Sequence, residues 1–221
     1  MVNLTRIYTR TGDDGTTGLG DFSRTRKTDP RLTAYADVNE ANAVIGVVLA
    51  TGTLDGDVRA ILRRVQNDLF DVGADLSTPL VENPEYPPLR VRREWVDELE
   101  ADCDTQNARL EKLRSFILPG GTVAAAHLPQ ATTVVRRAER ATWAAIETHG
   151  TDVGTTKGEG GVNPTAAAYL NRLSDLLFIL ARVANLGAGG DVLWQPGGGR
   201  AEAPVKRPAV PADDDPVDDD D

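Results

Sequence analysis

Two pairs of a helix-capping residue followed by proline, Asp29-Pro30 and Asn163-Pro164, each stand directly before a long run of apolar residues at helical spacing. A short polar side chain can accept the free N–H groups of a first turn, and proline is tolerated there because its missing N–H would have no partner. The first pair predicts a helix from Pro30 to about Ala50, with Leu32, Tyr35, Val38, Ala41, Ile45 and Leu49 on one face. A second helix carries Val58, Ile61, Leu62, Val65, Leu69 and Val72. The three prolines in ENPEYPPL, Glu82 to Leu89, force a surface connection. A third helix is predicted from Val91 to about Leu113, through Trp95, Leu99, Cys103 and Leu110. A fourth covers about Thr122 to Thr148, with a kink expected at Pro129, and the fifth runs from Pro164 to about Asn185. No segment reads as a strand and no internal repeat is present. The fold class implied is all-α, a five-helix up-and-down bundle.

The division predicted along the chain is an N-terminal loop segment 1–28, a helical domain 29–195 and a disordered acidic tail 196–221. Seven of the ten net negative charges lie in the last ten residues, ADDDPVDDDD, which leaves −3 for the remainder. No basic stripe interleaved with aromatics suggests a nucleic-acid partner. Residues Met1 to Gly12 contain no apolar run of the signal-peptide kind, and the longest apolar stretch, Leu176 to Leu186, is interrupted by Arg182. A cytoplasmic protein without membrane attachment is expected. One cysteine and two histidines exclude an internal disulfide and offer no resident His/Cys metal site.

Three groups of residues can carry chemistry. TRTGDDGTTGLG, Thr9 to Gly20, combines turn-forming glycines with threonine hydroxyls, followed by Arg24, Arg26 and Lys27; together they can cradle a polyphosphate, although the pattern GxxxxGK[ST] is absent. The same composition also fits an unspecialised glycine-rich arm. RRAER, Arg136 to Arg140, places guanidinium groups on a helix where Glu139 can orient them toward an anion, or can simply form a charged solvent face. Asn171, Asp175, Phe178 and Arg182 share one face of the last helix, as a ligand site or as a structural polar network.

The sequence resembles the PduO-type ATP:corrinoid adenosyltransferases through YTRTGDDGTT, KTDPRLTAYADVNEANAVIG, FILPGGT, RRAER and YLNRLSDLLFILAR, in the family's order and over most of residues 7–195. The resemblance implies a homotrimer with active sites between subunits. It implies transfer of the 5′-deoxyadenosyl group of ATP to the Co(I) of reduced cobalamin, with Mg²⁺ on the triphosphate. The ATP residues it implies are Thr9, Arg10, Thr11, Gly12, Asp13, Gly15, Thr16, Thr17, Lys27, Arg136, Arg137, Glu139, Arg140 and Asn171. The corrinoid residues are Phe116, Asp175 and Phe178, and those bearing most directly on catalysis are Arg137, Asp175 and Phe116. In the implied mechanism an apolar side chain displaces the lower axial base of cob(II)alamin, which eases reduction to cob(I)alamin by a partner reductase. A carrier that hands adenosylcobalamin to a dependent enzyme is the alternative.

The family pattern is broken at three positions. Arg10 replaces a loop lysine, while Asn39 and Thr132 replace an aspartate and an arginine that form a salt bridge between subunits in the family. Losing both charges avoids stranding one of them in an interface, which would cost about 3–5 kcal/mol.

Overall fold

The computed structural model describes residues 8–198, so the acidic block predicted to be disordered lies outside the described residues. Five α-helices follow a short N-terminal hairpin: β1 (Thr16–Gly18), β2 (Arg24–Arg26), α1 (Pro30–Thr51), α2 (Gly56–Leu76), α3 (Arg93–Asn107), α4 (Val123–His149) and α5 (Pro164–Val183). Both proline starts behave as their chemistry requires. The Asp29 carboxylate accepts the Arg31 N–H and the Asn163 side chain accepts the Thr165 N–H.

Successive helices alternate in direction. Asn42 and Gln66 exchange side-chain-to-carbonyl hydrogen bonds between α1 and α2 (2.9 and 3.3 Å). His149 at the end of α4 meets Asp29 at the start of α1 (2.8 Å), and Asn171 of α5 donates to Glu139 of α4 (3.1 Å). Helices α3 and α5 run parallel, joined at one end by Asn163 to the Val91 carbonyl and further along by Arg172 to Glu100. The buried core between the helices is built from Ile45, Leu62, Leu69, Leu76, Leu99, Leu128, Leu170, Leu173, Leu176 and Leu177. At the crossing of α1 with α4, Gly52 is required by space. A Cβ there would lie 2.8 Å from the Val48 carbonyl oxygen and 2.9 Å from the Ala124 Cβ.

Two expectations need correction. Helix α3 stops at Asn107, not near Leu113, and Leu113 is exposed. Just beyond it Arg109 bonds Gln106 and forms ion pairs with Asp55 (2.6 Å) and Asp57 (3.4 Å) at the start of α2. Those anchors turn the chain out of the helix, leaving Leu110 as the residue there that packs on the core. Second, residues read as a loop form the β1–β2 hairpin, in register Thr16↔Arg26, Thr17↔Thr25 and Gly18↔Arg24. Its three-residue strands are too short and too polar to produce an alternation signal. Pro129 lies within the first two turns of α4, which continues through it as one helix. Among the described residues no helix is long and apolar enough to cross a membrane.

Candidate active site

The hairpin turns the N-terminal loop into a cradle. Gly15 has φ +82°, a conformation that suits glycine, and its carbonyl accepts the Lys27 N–H (2.9 Å). Asp14 accepts the N–H and the hydroxyl of Thr16 (3.0 and 2.8 Å), which hold its carboxyl below its usual range. Arg24 donates to the Thr11 carbonyl (2.7 Å) and to the Thr16 hydroxyl. The Lys27 amine lies over Gly12, where an added Cβ would meet it at 3.1 Å. Thr9 and Thr11 share a hydrogen bond of 2.9 Å, Arg10 has φ +63°, and Asp13 is exposed. Thr11, Gly12, Gly15, Thr16 and Lys27 are therefore brought close together around the hairpin.

A cleft of about 430 Å³ continues from this loop along α1, lined by Thr17, Lys27, Leu32, Thr33, Tyr35, Ala36 and Asp37. Asp37 lies 3.4 Å from Arg137 of α4, which also pairs with Glu40. The loop and the RRAER segment are thus joined through α1. Periodicity offered no reason to choose Asp37 and Glu40, whose only sequence signal is two acids three residues apart facing a basic segment.

RRAER splits between two neighbours. Arg137 faces α1, whereas Arg136 reaches Ser174 (3.4 Å) and Glu139 accepts from Asn171. Glu139 therefore orients Asn171 and not the arginines as expected, because the antiparallel contact of α4 with α5 places positions 139 and 171 opposite one another. Arg140 is exposed.

The residues assigned to a corrinoid occupy the other half of α5 and the segment before α4. Asp175 is held by Arg172 (2.7 Å), which is itself fixed by Glu100 of α3 (3.1 Å). Phe178 is partly open to solvent and Phe116 is 77% exposed, in edge-to-face contact with Trp194 at a centroid distance of 5.9 Å. Arg182 is drawn out of this group. It is buried, with bonds to Asp191 (2.8 Å) and the Glu111 carbonyl (2.9 Å), so its role is structural. Cys103, partly buried near Asp175, has its thiol pushed up to about 11 by burial and then by that carboxylate, and is no nucleophile at neutral pH.

Asn39 and Thr132 do not meet within the chain. Asn39 is exposed beside Gly73 of α2, and the buried Thr132 hydroxyl donates to the Leu128 carbonyl of its own helix (3.0 Å).

The family model for cobalamin adenosyltransferase matches residues 7–184. A corrinoid adenosyltransferase of Mycobacterium tuberculosis is 60% identical over 199 residues, covering 90% of this chain and 97% of that protein. The corrinoid adenosyltransferase of Bacillus subtilis is 38% identical over 196 residues, covering 86% of this chain and 92% of its own. Among solved structures, a variant PduO-type ATP:corrinoid adenosyltransferase from Lactobacillus reuteri, complexed with cobalamin and ATP, superimposes with a TM-score of 0.75 at 30% identity. That match covers 86% of this chain and 99% of the other.

Proposed function

Because the chain belongs to the cobalamin adenosyltransferase family, we propose that it transfers the 5′-deoxyadenosyl group of ATP to a reduced corrinoid. The Co(I) electron pair forms a bond to C5′ while the C5′–O bond breaks, and inorganic triphosphate leaves with the bonding electrons of that oxygen. The cobalt is the nucleophile, so the protein's contribution is positioning, charge stabilisation and exclusion of water.

The observation that carries this reading is the Gly12–Lys27 cradle, which sets a lysine amine, hydroxyls and backbone N–H groups at the mouth of the α1 cleft. In it Lys27, the Thr17 hydroxyl and the loop N–H groups take the triphosphate, while Thr16 holds Asp14 and Arg24 in place beside them. Arg136, Arg137 and Arg140 supply further positive charge, while Glu139 holds the Asn171 amide for a polar edge of the nucleoside. Mg²⁺ fits as the counter-ion of the triphosphate. Asp13 is the exposed loop carboxylate beside it, Asp14 being engaged by Thr16. When bound, the ion would neutralise phosphate charge. On the corrinoid side, Phe116 and Phe178 present apolar surface where the lower axial base must be excluded, and Asp175 is held in place by Arg172.

Completion of the site by a neighbouring subunit is part of the proposal. The cradle lies beside the C-terminal end of α4 and Phe116 beside its N-terminal end, and a 27-residue helix spans about 40 Å. A loop from one protomer acting with α4 and α5 of the next, in a homotrimer, removes that separation. A reductase that delivers one electron to cobalt would be the redox partner.

The test is to mix the protein with ATP, Mg²⁺ and chemically generated cob(I)alamin and follow the visible spectrum. A light-sensitive Co–C species should accumulate over many turnovers. Product limited to one equivalent or less per chain would favour a carrier over a catalyst.

A further inference from the structure

Phe116 is the most exposed large apolar side chain among the described residues, so its orientation must be imposed from outside its own segment. The imposing element is the chain that returns after α5. Ile117 and Leu193 form an antiparallel bridge, flanked by Trp194 N–H to the Phe116 carbonyl (2.8 Å) and Leu118 N–H to the Val192 carbonyl (2.7 Å). The Ser115 hydroxyl adds a bond to the Trp194 carbonyl (2.9 Å). Side chains alternate across such a pair, so Phe116, Leu118, Val192 and Trp194 fall on one face, opposite to Ile117 and Leu193. All four are exposed, as is Leu193 on the other face, and within the four the Phe116 and Trp194 rings are in contact.

The returning strand is itself anchored. Gly189 and Gly190 turn the chain at φ +95° and +85°, and Asp191 then pairs with buried Arg182 of α5. The following residues are delivered to a fixed place, and the indole of Trp194 meets the Phe116 ring at 71°, an edge-to-face contact that favours one orientation of the phenyl group.

We infer that Trp194 is a positioning residue for the corrinoid half of the reaction: it fixes the Phe116 ring in the orientation that keeps the lower axial base off Co(II), and with Leu118 and Val192 it completes the apolar bed on which that face of the corrin rests. The inference rests on the proposed role of Phe116. Positioning of this kind acts before reduction, on the fraction of bound cob(II)alamin that is four-coordinate, because cob(I)alamin already lacks the axial ligand.

The experiment compares Trp194→Ala, Trp194→Phe and Phe116→Ala with the parent protein. Each is loaded with ATP and cob(II)alamin, and the four-coordinate fraction is read by electron paramagnetic resonance. Turnover is then measured from cob(II)alamin with a one-electron reductant and from pre-reduced cob(I)alamin. Trp194→Ala should lower the four-coordinate fraction and the cob(II)alamin turnover roughly five- to tenfold, with a smaller loss from cob(I)alamin and little change in KM for ATP. Trp194→Phe, which retains an aromatic edge, should recover most of the signal. A normal four-coordinate fraction in Trp194→Ala while Phe116→Ala loses it would overturn the role of Trp194 and leave that of Phe116 standing. A normal fraction in Phe116→Ala would remove the premise itself. Equal losses from both oxidation states, unrecovered in Trp194→Phe, would reduce Trp194 to a packing residue. Should Trp194→Ala fail to fold, Trp194→Leu, which keeps apolar bulk without the ring, takes its place. Loss of the four-coordinate signal in that variant supports the positioning role, and its retention overturns it.

Discussion

At the residue scale, the side chains that hold the site in place differ from those that would touch substrate. Asp75 is buried and accepts three donors: Arg90 (2.6 Å), the Val91 N–H (2.7 Å) and Asn163 (2.7 Å). It thereby joins the end of α2, the proline-rich connection and the cap of α5. Asp75→Ala leaves the Val91 N–H without its partner and takes one bond each from Asn163, which keeps the Val91 carbonyl, and Arg90, which keeps the Thr78 and Pro79 carbonyls; it should cost about 2–3 kcal/mol, or roughly 8 °C in Tm by calorimetry. A change under about 1 kcal/mol would show that water replaces the carboxylate. Arg31 belongs to the same class, a buried guanidinium bonded to the carbonyls of Leu76, Gly160 and Gly161. Arg137 is the opposite case. Its ion pairs with Asp37 and Glu40 are substantially exposed, and such pairs contribute about 1 kcal/mol or less. Arg137→Ala should therefore leave Tm within about 3 °C while raising KM for ATP at least roughly tenfold. A large Tm loss with unchanged KM would make it a structural residue.

Among the elements, α1 is the one whose start both fold and site depend on. Its cap, Asp29, receives the Arg31 N–H (2.9 Å), the Thr25 hydroxyl of β2 (2.8 Å) and the His149 ring (2.8 Å), so one carboxylate joins the hairpin, α1 and α4. Burial pushes that carboxyl up, but the donors from Arg31, His149 and Thr25 outweigh it and hold it below its ordinary value of 3.8. A carboxylate lowered by folding stabilises above its unfolded value, and that contribution fades as pH falls through the lower folded value. Asp21 and Asp57 are lowered in the same way, the first by Ser23 and Gly158 against burial, the second chiefly by Gln106. Acid unfolding should accordingly steepen below about pH 4. Asp29→Ala should cost about 1–2 kcal/mol at pH 7 and progressively less toward about pH 2, as followed by denaturant titration at each pH. A pH-independent cost would remove the charged cap from the account. The helix starts were legible because capping chemistry is local. The end of α3 was not, because Arg109 is turned by Asp55 and Asp57, which lie about fifty residues earlier in the chain.

For the whole molecule, the prediction concerns where one active site ends and the next begins. If the cradle of one protomer serves the helices of its neighbour, Lys27→Ala and Arg137→Ala chains, each nearly inactive alone at ATP well below its raised KM, should regain activity when dissociated together and reassembled. Random mixing leaves about a quarter of the interfaces with both residues intact, and a similar fraction of parental turnover should return. A mixture as inactive as its components would place both residues in the same chain's site. The sequence by itself determined the helical bundle, the starts of α1 and α5, the apolar faces that meet in the core, and the family to which the chain belongs. Periodicity, caps and short motifs are encoded within a few residues of one another, so they can be read without the fold. Tertiary structure alone decided that Glu139 serves Asn171, that Asp37 and Glu40 hold Arg137, that Arg182 is consumed by Asp191, and that Trp194 meets Phe116. Those contacts join residues from 9 (Arg182 and Asp191) to one hundred positions apart (Arg137 and Asp37). They exist because antiparallel helices and a returning strand bring particular turns opposite one another, and no local pattern specifies which turn that will be.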